Sequence, residues 1–202
     1  MNSGKPKDSW GFVSKSFHWT IGVLIIMQLL FGLFLSTLNL YLPADLKTYV
    51  AIISPHKSLG LTIMALAILR LAWRLANVRP AMPDSSTPFE RRVAKLSHGL
   101  MYFLLIALPL LGLIQSSAYR AKTTFWGLFQ LPDIVPAAYA RPGARGVWKV
   151  AQNGHTALAV ILFVTIVLHI AAALRHHFVK HDDVLIRMLP GGYRANGSAP
   201  VA

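Results

Sequence analysis

Residues 150–174, VAQNGHTALAVILFVTIVLHIAAAL, run from Lys149 to Arg175 without a charged side chain. A helix needs about 20 apolar residues, each rising ~1.5 Å, to cross the hydrocarbon of a bilayer. This run is long enough, and it carries two histidines, His155 and His169. Imidazole is costly in hydrocarbon and needs a partner there. The segment therefore reads as a membrane span that holds something polar.

Three more stretches have the same character. Residues 16–44 separate Lys15 from Asp45, and residues 96–119 lie between Lys95 and Arg120. Residues 58–69 separate Lys57 from Arg70, and the apolar pattern continues to Val78. This last one spans only if Arg70 and Arg74 lie near one end, snorkelling or paired. The chain of 202 residues is 54% hydrophobic and 13% charged, against roughly 25% charged in a soluble domain. Much of its surface therefore does not face water. The expected fold is all-α, an integral membrane four-helix bundle, in one domain because no Gly- or Ser-rich linker divides it. The first span is too long for a signal-peptide core and lacks a small-x-small cleavage site. Pro43 and Asp45 are expected to close the first helix and Pro55 to precede the second. RPAMPDSSTP, from Arg79 to Pro88, reads as a turn-rich connection. Phe17, Trp19, Trp73, Trp126 and Trp148 sit near span ends, where interfacial aromatic belts form.

The formal net charge is +13. On a soluble protein this would point to nucleic acid, but helices this apolar leave no basic, water-facing surface to follow phosphates. The charge reads instead as loops meeting the headgroups of membrane lipid, plus counter-charge for an anionic cofactor. Four spans place both termini on one side. That side has 13 Lys and Arg, and the other has 7: Lys47, Lys57, Arg120, Lys122, Arg141, Arg145 and Lys149. By the positive-inside rule both termini are cytoplasmic. The division expected is a cytoplasmic N-terminal segment, 1–15, a transmembrane domain, 16–181, and a cytoplasmic tail, 182–202. The loop from Ser116 to Gln152 then lies outside and is long enough to cap that face.

There is no cysteine. Disulfides, iron–sulfur clusters, thiolate ligands and covalent c-type haem attachment are all excluded. Any haem must be held non-covalently by His or Met.

Eight histidines remain. His176, His177 and His181 follow the last span and read as a solvated interfacial cluster. The other five lie in or at the ends of spans. His155 and His169 are 14 residues apart, which at ~100° and ~1.5 Å per residue places them within about 40° of one face and ~21 Å apart. His18 opens the first span on the inner side and matches His169 in depth. His56 opens the second on the outer side and matches His155. Six-coordinate haem iron needs two axial ligands from opposite directions, and facing bundle helices supply them. The pattern thus predicts two haem b groups, the inner between His18 and His169, the outer between His56 and His155. Gly22, Gly60 and Gly112 would let a flat ring approach the helices. His98, with Tyr102 one turn on, reads as a donor to a haem propionate or as a structural contact. Arg70 and Arg74 read either as propionate partners or as snorkelling to headgroups.

Several motifs now fall into an order. These are SKSFHW ending at Trp19, HKSLG from His56, HGLMYFLLIALPLLG from His98, WGLFQLP from Trp126, GHTALA from Gly154 and LHIAAALRHHF from Leu168. Together, over roughly residues 12 to 190, they resemble the prokaryotic cytochrome b-561 family. Those proteins are small diheme, quinone-linked cytochromes of bacterial inner membranes. The resemblance implies four histidine ligands at His18, His56, His155 and His169, and an oxidoreductase passing electrons between a quinone pool and a one-electron partner. For some members that partner is superoxide at the outer face. Two other readings are open. One is a cytochrome b anchor of a larger dehydrogenase or hydrogenase, which would show a co-purifying subunit. The other is a haem-free transporter, which would lack a Soret band and leave the paired histidines unexplained. A quinone site is placed beside the outer haem, lined by Ser116, Ser117, Tyr119 and Trp126. Seven Lys and Arg on the outside, against Asp45 and Asp133, either meet headgroups or form a funnel for a small anion.

Overall fold

The computed structural model of the chain describes residues 9–41, 46–78, 80, 81, 83, 85–140 and 146–191, without the side chains of 38–41 and 46–50. Pro43, Asp45, Arg79, Arg141, Arg145 and the chain beyond Gly191 lie outside the described residues. Four helices dominate: α1 Phe12–Tyr41, α2 Leu46–Ala76, α3 Pro88–Ala118 and α4 Val147–Phe178. Each contains a stretch of 26 to 32 residues long and apolar enough to cross a membrane.

The helices run past the charges that bound the apolar runs. α1 takes in Lys15, α3 takes in Glu90, Arg91, Arg92 and Lys95, and α4 takes in Lys149 and Arg175. The start of α3 shows why. Thr87 accepts from the Glu90 backbone N–H, and Glu90 accepts from the Thr87 backbone N–H, a capping box that begins the helix in the polar zone. Charges mark the edge of the hydrocarbon, not the end of the helix. Pro55 is a correction of the same kind: it lies inside α2 and does not precede it. Its missing N–H costs one bond, which a long membrane helix tolerates.

The core is a band of aliphatic side chains: Ile21 and Ile25 of α1, Ile63 and Ala67 of α2, Leu104, Leu105 and Leu108 of α3, and Leu162 of α4. Outward, Val23, Leu30, Phe34, Ile68, Phe103, Phe163 and Val167 are exposed as the lipid-facing belt. Close backbone packing runs between successive helices, α1 with α2, α2 with α3, and α3 with α4. The α1–α4 and α2–α4 pairs face each other across a wider interval.

The loop after α3 folds back on the bundle. A hairpin, β1 Thr124–Phe125 and β2 Phe129–Gln130, pairs Phe125 with Phe129. Its turn holds Trp126 at φ 49° and Gly127 at φ 74°. The left-handed region is natural for Gly127 but strained for Trp126. Ser58 of α2 holds the strain in place: its hydroxyl accepts from the Trp126 N–H at 2.9 Å and donates to Thr124 O at 3.2 Å. The Trp126 indole donates to Thr62 Oγ1 at 3.0 Å. At the foot of the loop, Ser117 Oγ accepts from Val135 N–H at 2.8 Å.

The segment after α4 also turns back. It makes a 3-10 turn at Ile186–Met188, and Lys15 and Trp19 of α1 donate to Leu189 O and Met188 O, each at 2.9 Å. Both described ends of the chain therefore meet at one end of the bundle, here the terminal end. The hairpin closes the other.

Candidate functional site

α4 presents His155 toward the hairpin end and His169 toward the terminal end. The ring centres of His56 and His155 are 6.3 Å apart, and those of His18 and His169 are 6.1 Å apart. An imidazole nitrogen sits about 2 Å from its metal, and the ring centre lies about 1.1 Å behind that nitrogen. Two imidazoles on opposite sides of one ion are then roughly 6.2 Å apart. Both pairs have that spacing, and both cross the helix pairs whose backbones are not closely packed.

The ring nitrogens differ in what they meet. His155 Nδ1–H donates to Leu108 O at 3.0 Å, which leaves the Nε2 lone pair for a metal. His56 Nδ1 is buried without a hydrogen-bond partner, and so is Gln28 Oε1 beside it. The Gln28 amide N–H donates to His56 O at 2.9 Å and lies 3.3 Å from His56 Nε2. A buried polar nitrogen without a partner is costly unless another group completes its environment. Arg70 donates to His18 Nδ1 at 3.1 Å. These rings, their spacing and the open intervals fit a flat, iron-centred macrocycle held from both sides.

Two glycines lie within van der Waals reach of the rings. A Cβ added at Gly112 would lie 3.6 Å from His155 Cε1, and one at Gly32 would lie 3.4 Å from His56 Cε1. Gly60 faces Gln28 Nε2 at 3.2 Å, whereas Gly22 meets nothing within 4 Å. Gly22 therefore looks onto open space.

At the terminal end a third imidazole joins. The His98 ring centre is 5.4 Å from that of His169, and its Nδ1–H donates to Ala94 O at 2.6 Å in its own helix. Arg70 and Arg74 both sit over the Tyr102 ring at 5.8 Å, and the buried Tyr102 hydroxyl has no partner. The expected cationic and hydrogen-bonding residues are thus gathered around one histidine pair. The reading of His176 is corrected. It lies on α4, buried, and its Nδ1–H donates to Asp182 at 2.6 Å. Of the three, His181 is exposed and His177 is half-buried. Burial opposes ionisation of Asp182, but the bonds from His176, the Val184 N–H and Ser85 outweigh it and hold its carboxyl below the ordinary range. Among the described residues, no group of three or more His, Cys, Asp or Glu forms a compact metal cage.

The family model for prokaryotic cytochrome b561 matches residues 9–191. The chain belongs to that family. It is similar to cytochrome b561 homolog 2 of Escherichia coli, 32% identical over 94% of this chain and 95% of that protein. Cytochrome b561 homolog 1 of the same organism is 28% identical over 74% and 81%. A probable superoxide oxidase, CybB, of Yersinia pestis is 28% identical over 86% and 91%. The chain is thus a prokaryotic membrane cytochrome that binds haem b and transfers electrons.

Gln28, Gly32 and the Leu108 carbonyl were not legible as site groups. A glutamine amid the apolar run of α1 was a usable signal, because an amide in hydrocarbon needs a partner. A backbone carbonyl leaves no signal in sequence. Of the residues expected to line a quinone site, Ser117 uses its hydroxyl on the loop and Ser116 is buried. Tyr119 lies against Trp148, ring centres 5.7 Å apart and tilted by 38°, and Trp126 is bound to α2.

Proposed function

We propose that this cytochrome holds two haem b groups, one between His18 and His169 and one between His56 and His155. Bound haem supplies a one-electron ferric–ferrous couple in each place. The observation that carries the reading is the pair of ring spacings, 6.1 and 6.3 Å, both built on α4. The remaining residues set the surroundings. Leu108 O orients His155. Arg70, Arg74 and His98 offer hydrogen bonds and positive charge where the carboxylates of the terminal-end haem would face them.

The cytochrome links quinone to a one-electron partner in the bacterial inner membrane, with its termini in the cytoplasm by the excess of Lys and Arg there. The partner is superoxide at the hairpin face, with ubiquinone as acceptor. Two superoxide anions give one electron each and leave as neutral oxygen; the quinone takes both electrons and two protons to become quinol. Two features support this. One is the likeness to the probable superoxide oxidase. The other is the basic hairpin face, where Lys122 and Lys149 are exposed and Asp133 is paired with Arg120 at 3.2 Å. Excess positive charge over a near-surface site raises the on-rate of a small anion without a tight pocket.

The test has two parts. Pyridine haemochrome analysis should give two b-type haems per chain; a ratio of one or a c-type spectrum refutes the diheme reading. Stopped-flow reduction of the oxidised protein by superoxide should be fast and should slow with salt, as screening shortens below ~10 Å above 0.1 M. It should also slow when Lys122, Arg141 and Arg145 are neutralised together. A slow, salt-indifferent reaction would leave quinol oxidation as the better account.

A further inference from the structure

The two histidine pairs are not held alike. His155 and His56 lie under the hairpin, which is tied to α2 two residues from His56. His18 and His169 lie on α1 and α4, and the close backbone neighbours of those helices are α2 and α3. What bridges α1 and α4 at this depth is the segment that follows α4.

That segment is anchored on three sides. On α3, Glu90 receives Lys180 at 2.6 Å, beside the α4 residue Arg175 at 2.8 Å. On the α2–α3 connection, Ser85 donates to Asp182 at 3.2 Å, Lys180 donates to Ser85 O at 2.9 Å, and Arg187 donates to Ala81 O at 2.7 Å. On α4, His176 pairs with its Asp182, and within itself it has the Arg187–Asp183 pair. The carbonyls of Met188 and Leu189 lie where its 3-10 turn ends, at the position where helix carbonyls run out of partners in their own turn. α1 supplies them. Trp19, next to His18 and with its ring centre 5.4 Å from the His18 ring, donates to Met188 O. Lys15, buried one turn earlier, donates to Leu189 O. An ammonium is expensive to bury, so this bond holds its position firmly.

We propose that residues 179–191 form a clasp that sets the interval between His18 and His169, with Lys15 and Trp19 as the positioning residues that receive it. The inference rests on the reading of that pair as axial ligands. The clasp keeps both ligands on the terminal-end haem, so that this haem stays six-coordinate and closed to outside ligands. The hairpin-end haem does not depend on it.

The deciding variant is Lys15→Met with Trp19→Phe, which removes two hydrogen bonds and keeps an apolar chain and an aromatic ring in their places. A charge-assisted bond contributes about tenfold to a closed-to-open ratio and a neutral one about fivefold, so the pair should shift it about fiftyfold. The readouts are the haem-to-chain ratio, the low-spin electron paramagnetic resonance signals, and carbon monoxide binding by the dithionite-reduced full chain. The expected result is carbon monoxide binding at one haem only, with a changed signal from that haem and an unchanged signal from the other. A chain truncated after His181 should go further and lose one haem of two. A double variant identical to the parent in all three readouts overturns the clasp, as does equal disturbance of both haems. A parent protein with one haem would instead overturn the diheme reading, so the two failures are distinguishable.

Discussion

Replacing His18 or His98 by alanine separates two imidazoles that both lie near His169. Opposed ligands on one iron should have ring centres roughly 6.2 Å apart. His18 and His169 are at 6.1 Å, while His98 and His169 are at 5.4 Å, short by about 0.8 Å on the same estimate (6.2 − 5.4). The backbones differ in the same sense: α3 packs closely on α4, so the interval between His98 and His169 has no room for a macrocycle, whereas α1 stands off from α4. His18→Ala should therefore reduce haem from two per chain to one. His98→Ala should keep both. Loss of a group that acts only around a site costs roughly 10–100-fold in affinity, so it should appear as faster transfer of one haem to an apo-protein acceptor, with stoichiometry and low-spin signals unchanged. The assay is pyridine haemochrome content with electron paramagnetic resonance on each variant. One haem left in His98→Ala and two in His18→Ala would refute the spacing argument and make His98 the ligand.

His155→Ala and His56→Ala should each remove the hairpin-end haem and leave the terminal-end signal intact; loss of different haems from the two variants would break the pairing. Ser58→Ala deprives both the Trp126 N–H and Thr124 O of their partner. At about 1–3 kcal/mol per stranded group, with Trp126 already in the left-handed region, amide exchange in the hairpin should speed at least tenfold; unchanged protection would show that Ser58 does not anchor it. Asp182 titrates below its ordinary value of 3.8, so the unfolded chain binds more protons there in acid. Its contribution is complete above that value and is lost as pH falls through the lowered one. Protection of the clasp amides should fall as pH drops below about 4, and Asp182→Asn should show the weakened state already at neutral pH; an acid response equal in both proteins would clear Asp182 of the role.

The spans were legible because charge is excluded from hydrocarbon, and the depth pairing was legible because α4 fixes the spacing of its own two histidines. Helix ends were less so: Lys15, Lys95 and Arg175 looked like boundaries, yet they lie inside helices whose first and last turns stand in the polar zone. Pro55 looked like a start because its cost in a helix is one lost bond, and nothing local shows that α2 absorbs it. His176 looked solvated because it follows a span among basic residues. Its burial depends on Asp182, which reaches it only after the chain reverses, a contact that periodicity does not report. The hairpin was hidden for the same reason, since its strands of two residues each are held by Ser58 and Thr62, more than 60 positions away.

One helix carries a histidine of each pair, and that has a consequence for how the cytochrome works. A helix is stiff along its axis, so the ~21 Å between His155 and His169 is set by covalent geometry and varies little with packing. That interval is about two-thirds of a ~30 Å hydrocarbon core. α1 and α2 run in opposite directions, and each brings a histidine from the end where it enters: His18 at the terminal end, His56 at the hairpin end. Neither needs to move relative to the other for both pairs to form, because each closes independently on the fixed α4 stripe. On the diheme reading the two ends would be tuned separately, one by a hairpin bound to α2 and the other by Arg70, His98 and the clasp, while the distance an electron would cover between them stays constant.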